Sequence, residues 1–343
     1  MTEHRDETGE ILRQRPLKPS EQQMEANFKV LPAGEGTKRM NYTIHNRDCV
    51  TGMAEVLDPA SVDLCVSSIP FGALFMYSGK TEDIGNNPDG VDMRASEFGL
   101  HMRFFVEQLH RVMKPGRNVC IHIQQLLRYV NQHGYMGRRD FRGAVVDLFS
   151  RGGLEWIGEV VIPKNPQVIA QRLSLHSLMF VTGKRDATKL APAVNDYVMI
   201  FQKPGDAEPP VKCLRDPDVN PTGWVTAEDW IKWASGVWDD IRETDVLDGW
   251  KSARETDEEK HVCPLQLEVI RRCIRLYTNP GELVLDPFMG IGSTAYVATE
   301  EGRRSVGFEL KESYYGLAIR NLEKQARAIA EEAEMDLFKG AAK

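Results

Sequence analysis

Two short stretches carry residues that could do chemistry. The first is "VDLCVSSIPFG", residues 62 to 72. A run suited to a buried strand ends in Ser67 and Ser68, then turns through Ile69 and Pro70 to the ring of Phe71. A hydroxyl, a backbone carbonyl and an aromatic face thus meet at one strand end. The second is "LVLDPFMGIGST", residues 283 to 294. Here an apolar strand ends in Asp286, and Gly290 and Gly292 open a helix. Glycines let a backbone approach a ligand closely, and a helix N-terminus offers unpaired N–H groups. The spacing is not the G-x-x-x-x-G-K-[ST] of a phosphate loop, which argues against a nucleoside triphosphate.

About one βα unit later, "SVGFEL" places Glu309 at another strand end. An acid at that distance is what ribose hydroxyls need in doubly wound folds. The ligand implied has a ribose and no pyrophosphate. S-adenosylmethionine fits, as adenosine joined to an amino acid whose ammonium group Asp286 can meet.

These residues need a scaffold of alternating strands and helices. "YTIHN" alternates as a strand and leads to Asp48, "VTGMAEVL" reads as a short helix, and "VDLCVSS" as a buried strand. A helix follows with Ser96 as N-cap and stops at "KPG", and "NVCIHI" is the next strand. "GLEWIGEVVIP" and "DYVMIFQKPG" read as later strands, and "SYYGLAIRNLEKQ" as a final helix that frays into a tail. The alternation predicts an α/β fold with a mostly parallel sheet.

Composition narrows the class. The chain has 343 residues, 42% hydrophobic and 27% charged, with a net charge of −7. That balance opposes a protein that merely coats nucleic acid, yet leaves room for a local basic cleft. "RYVNQHGYMGRRDFRG" supplies one, with Arg128, Arg138, Arg139 and Arg142. No apolar run is long enough to span a membrane, and no Cys/His cluster has zinc-ligand spacing. The six cysteines read as buried free thiols of a reducing cytoplasm.

Together, "SSIPFG" and "DPFMGIGST" resemble the amino-group DNA methyltransferases, which use D/N/S-P-P-Y/F to methylate an exocyclic base nitrogen. Their D-P-F-x-G-x-G-T pattern is matched by Asp286, Pro287, Phe288, Gly290 and Gly292, with Ser293 and Thr294 at its end. "KHVCPLQLEVIRRCI" resembles the segment before the cofactor strand, with Lys260, His261 and Pro264 in the expected places. "EQLHRVMKPGRNVCIHI" resembles the helix and strand that follow the catalytic loop. The motif order, catalytic loop first, is that of the beta group.

The resemblance implies a circularly permuted Rossmann-like methyltransferase sheet with helices on both faces and a smaller irregular target-recognition region. The expected divisions are a flexible tail over 1–40, a catalytic half over 41–164, and a region over 165–256 that holds later sheet strand(s) and the target-recognition region, including Arg172. A cofactor-binding half over 257–325 and a tail over 326–343 complete the chain. Asp48 is expected to hold the adenine amine of S-adenosylmethionine. Ser68 and the Ile69 carbonyl are expected to orient the target amine, and Phe71 to stack on a base flipped from double-stranded DNA. Ser in this position is typical of cytosine-N4 enzymes and Asp of adenine-N6 enzymes, so cytosine N4 is the first expectation and adenine N6 the alternative. Ile69 replaces the family's first proline, which loosens the turn. A DNA-binding relative weakened in transfer is the other alternative. Arg128, Arg138, Arg139 and Arg142 are expected on DNA phosphates. A homodimer and a cognate restriction endonuclease are the further partners the family allows, in a bacterial or phage setting.

Overall fold

The structure is a computed structural model. It describes residues 42–71, 82–86, 93–128, 134–135, 137–172, 175–249 and 264–341. The proposed N-terminal tail, Lys260 and His261 lie outside the described residues, as does the side chain of Arg172.

Seven strands build one sheet. In chain order they are β1 (Tyr42–His45), β2 (Val62–Ser68), β3 (Met113–Gln124), β6 (Glu155–Ile162), β7 (Asp196–Gln202), β8 (Leu283–Asp286) and β9 (Arg304–Phe308). A separate hairpin pairs β4 (Leu126–Arg128) with β5 (Gly137–Arg139). The sheet order is β1-β9-β8-β2-β3-β7-β6. The two strands nearest the C-terminus thus lie between β1 and β2. All strands run parallel except β7, which is antiparallel to both β3 and β6. The sheet is therefore mixed. Because β7 is reversed, its first residue reaches the same edge as the last residues of β3.

Nearly every residue of β2 is buried, because strands flank it on both sides and helices cover both faces. One face packs on α1 (Cys49–Val56), α2 (Glu97–Val112) and α3 (Phe141–Arg151), with Met53, Phe105, Leu109 and Phe149 in the core. Three short helices, α4 (Pro166–Arg172), α5 (Phe180–Arg185) and α6 (Ala227–Trp233), lie in the connections between β6 and β8. The other face packs on α7 (Leu267–Tyr277) and α8 (Ser293–Glu300), through Ile270, Ile274, Val297 and Ala298. Ser96 caps α2 as expected, accepting a bond from Gly99 N at 3.0 Å. β3 begins at Met113, so the "KPG" after α2 is already strand. The last helix, α9, runs from Glu312 to Ala341, past the point where fraying was expected.

A buried ionic cluster joins the distant parts of the chain at the amino edge of the sheet. Arg117 on β3 reaches both carboxylate oxygens of Glu282, at 2.9 and 2.6 Å, just before β8. Asp63 on β2 accepts from Lys114 Nζ at 2.6 Å and from the Leu283 amide at 2.9 Å. Arg117 and Asp63 are each 1% exposed, so neither charge can turn to water. The cluster pins β8 beside β2, and its polar residues leave the opposite edge free for chemistry.

Candidate active site at the carboxyl edge of the sheet

At that opposite edge, the ends of six strands and the chain just after β6 open into one cavity. Its floor is the turn after β8. Gly290 and Gly292 have φ of +56° and +92°, a region open to glycine at little cost. A Cβ on Gly290 would meet nothing within 4 Å, so this part of the turn faces open space. Asp286 is buried beneath it. Ser67 Oγ and the Phe288 amide donate to Asp286 Oδ1 at 2.6 and 3.1 Å, and Thr294 Oγ1 donates to Oδ2 at 2.6 Å. Burial pushes its carboxyl up to about 6, although these three donors pull it down. Asp286 is thus first a clamp between β8, β2 and α8, with one acceptor position left on Oδ2.

Glu309 follows β9 and is half-buried. Its two oxygens accept from the Gly290 and Lys311 amides, each at 2.8 Å. Burial pushes its carboxyl up to about 7. Asp48 follows β1 and also faces the cavity. Its carboxylate caps α1, accepting from Val50 N at 3.0 Å, Thr51 N at 2.9 Å and the Thr51 hydroxyl. Asp48 therefore owes its residue type at least partly to the helix it starts. Pro264, Pro287, Phe288 and Ser293 complete this half of the wall.

The turn after β2 forms the other half. Ile69 is 2% exposed and belongs to the main core, so burial of its side chain holds the turn where a proline ring would otherwise stiffen it. Pro70 is buried beside it. Phe71 is half-buried, its ring edge-on to His122 and Phe141, each at 6.2 Å between centroids. Ser68 Oγ lies 2.9 Å from His122 Nδ1. His122 Nε2 lies 3.2 Å from Asp196 Oδ2, off the line of an ideal hydrogen bond, and Lys164 Nζ meets the same oxygen at 2.7 Å. Burial alone would raise the Asp196 carboxyl, but His122 and Lys164 outweigh it and hold it below the ordinary range. All four residues line the cavity.

A family comparison decides what kind of fold this edge belongs to. The N6/N4 DNA methylase model matches residues 62–320, from β2 through the glycine turn after β8 into α9. The chain belongs to the N6/N4 DNA methylase family. Among curated relatives of this DNA methylase, the type II methyltransferase M.BglII of Bacillus subtilis is 26% identical over 81% of this chain and 68% of its own length. M.MjaI of Methanocaldococcus jannaschii is 26% identical over 60% of this chain, and the match spans 61% of that protein, less than two thirds of its length. Among solved structures, the PvuII DNA methyltransferase (cytosine-N4-specific) shares the fold with a TM-score of 0.54 at 16% identity, covering 84% of this chain and 92% of that one. A DNA modification methylase of Thermus thermophilus, complexed with S-adenosyl-L-methionine, gives 0.57 at 21% identity, covering 83% and 93%.

The methylase site contains residues that the motifs did not single out. Ser67 reads as an ordinary strand end, yet it braces Asp286. His122, Asp196 and Lys164 come from three separate elements, so no local motif contains them. Burial pushes the thiols of Cys49 and Cys65 above their ordinary value, so neither is a poised nucleophile.

The expected basic cleft divides. Arg142 is half-buried, paired with Glu159 and set over the Trp156 ring at 5.4 Å, so it helps pack α3 on β6. Arg138 donates to the carbonyls of Pro192 and Ala193 and stays exposed. Arg128 lies over the Tyr135 ring at 5.1 Å, and Arg139 is half-buried on β5.

Proposed function

We propose that this methylase transfers a methyl group from S-adenosylmethionine to the exocyclic amine of a base flipped from duplex DNA, with cytosine N4 as the target. The observation that carries the reading is the shared cavity. One wall has an open glycine turn and three carboxylates, and the other has a serine hydroxyl backed by His122.

The cofactor's chemistry fits the first wall. S-adenosylmethionine, when bound, supplies an electrophilic methyl on a cationic sulfur. Asp286, Glu309 and Asp48 place acidic side chains along the cavity, which suits a ligand carrying a sulfonium and an ammonium group. Glu309 is the acid for the ribose hydroxyls, and Asp286 Oδ2 keeps one acceptor position for the ammonium.

The second wall suits an amine. Asp196 favours the imidazole tautomer with its proton on Nε2, which leaves Nδ1 to accept from the Ser68 hydroxyl. The Ser68 lone pairs are then free to accept an amine N–H. Ser68 and the Ile69 carbonyl hold the two amine hydrogens, so that the nitrogen lone pair faces the methyl, and Phe71 supports the ring of the base. The surplus proton of the methylated amine passes to Ser68, whose own proton moves to His122 Nδ1. Asp196 and Lys164 hold the ring in place. Transfer is otherwise a matter of positioning.

Ser at position 68 supports cytosine over adenine, as does the fold shared with a cytosine-N4-specific enzyme. Double-stranded DNA is the proposed partner, and a cognate restriction endonuclease is a second proposed partner, a reading that the type II names of the relatives support. Incubation with methyl-labelled cofactor and mixed-sequence duplex DNA, followed by nucleoside analysis, tests the reading. Label in N4-methylcytidine supports it. Label confined to N6-methyladenosine overturns the choice of base, and label confined to RNA or protein overturns the substrate.

A further inference from the structure

Residues 163–195 leave the sheet after β6 and return at β7, so both ends of the segment lie at the carboxyl edge. Lys164 and Ile169 line the cavity near its start, and Asp196 lines it just past its end. The segment holds α4 and α5. It is a packed lobe. Ile169, Leu175 and Val194 form a small core with Leu178 and with Leu127 of the β4–β5 hairpin. Arg138 ties the same hairpin to the Pro192 and Ala193 carbonyls. The lobe and hairpin are therefore packed together beside the site.

Its surface has two unusual features. Phe180 is 80% exposed at the start of α5, with Val181 beside it at 50%. Lys184 Nζ sits 5.0 Å above the Phe180 ring. A solvated aromatic ring of this kind gains no burial in the free protein. Secondly, the exposed basic residues Lys184, Arg185 and Lys189 follow that ring closely in the sequence, with Asp186 as the one acid among them, in a chain whose net charge is −7. A basic surface around an exposed ring matches a polyanion that also offers flat apolar faces.

We infer that this lobe seats on duplex DNA and that Phe180 is a wedge that enters the base stack beside the flipped nucleotide. The inference rests on the proposed DNA reading and extends it to a specific residue. A base removed from the duplex leaves unstacked neighbours, and an inserted apolar side chain replaces part of the lost stacking. Lys184 and Arg185, on the same helix, would meet the flanking phosphates.

The test is binding of the full chain to a fluorescein-labelled duplex of mixed sequence, across a salt series, with S-adenosylhomocysteine present. Phe180→Ala removes no buried contact, so the variant folds. It should lose about ten- to a hundredfold in affinity, as stacking contacts do, with an unchanged salt slope. Phe180→Trp should bind as the wild type does. Lys184→Ala with Arg185→Ala should instead reduce the salt slope. Wild-type affinity in Phe180→Ala overturns the wedge while leaving the proposed function standing. A lowered salt slope in Phe180→Ala also overturns it, since the loss would then be electrostatic. Failure of the wild-type chain to bind duplex DNA would sink the proposed function itself and this inference with it.

Discussion

The proposed role of Glu309 links cofactor binding to pH. Burial raises its carboxyl to about 7 from the ordinary 4.5, against the pull of the Lys311 and Gly290 amides. In the free site it is therefore mostly protonated below neutrality. A cationic ligand with ribose hydroxyls interacts best with the carboxylate, so binding ionises the group and releases a proton. Full return to the ordinary value corresponds to about 3 kcal/mol, from 1.36 kcal/mol per pH unit. Part of Glu309 opens to the cavity, which makes that figure a ceiling. The sign follows directly. Affinity is low in acid, rises as the pH climbs towards 7, and then levels off. Between pH 5.5 and 7.5 the gain is about 20-fold. Isothermal titration of S-adenosylmethionine, in two buffers of different ionisation heat, gives both Kd and the protons released. Glu309→Gln should bind weakly and lose the part of the pH dependence centred near 7, keeping the smaller part that Asp286, raised to about 6, contributes. A flat Kd in the wild type over this range, or the same slope in Glu309→Gln, refutes the reasoning.

Other changes give further tests. Ser68→Ala should lower methyl transfer by about 100-fold or more, with cofactor affinity unchanged, in a filter assay with labelled cofactor and DNA. Arg117→Ala strands Glu282 and Asp63 without their shared partner, and should cost about 3–5 kcal/mol in urea unfolding. Gly292→Ala forces a side chain into φ +92° and sets its Cβ 3.2 Å from that of Ala318. It should cost about 1–2 kcal/mol, read as a lower thermal midpoint, and should weaken cofactor binding.

Much of the turn after β8 was legible in the sequence because it is local. A strand, an acid and two glycines within twelve residues describe the turn after β8, and Glu309 follows at the end of the next strand. The turn after β2 was legible for the same reason. His122 was not, because "NVCIHI" reads as strand alternation whether or not its histidine has a partner. Its role depends on β7 running antiparallel beside β3, which brings Asp196 to the site end of the sheet. Asp63 and Arg117 escaped notice because a charge inside an apolar strand gains meaning only when a distant residue, here Glu282, comes to meet it. Arg142 was grouped with its neighbours by composition, yet its position on α3 turns it towards Glu159 on β6. Ile69 marked a departure from the family's turn, and its burial shows what replaces the ring's stiffness.

The most direct test is to map modified bases in the DNA of cells that express this chain. The account predicts N4-methylcytosine at one short recurring sequence, and its loss when Ser68 is replaced by alanine. DNA that carries only N6-methyladenine, or no modified base at all, would contradict it.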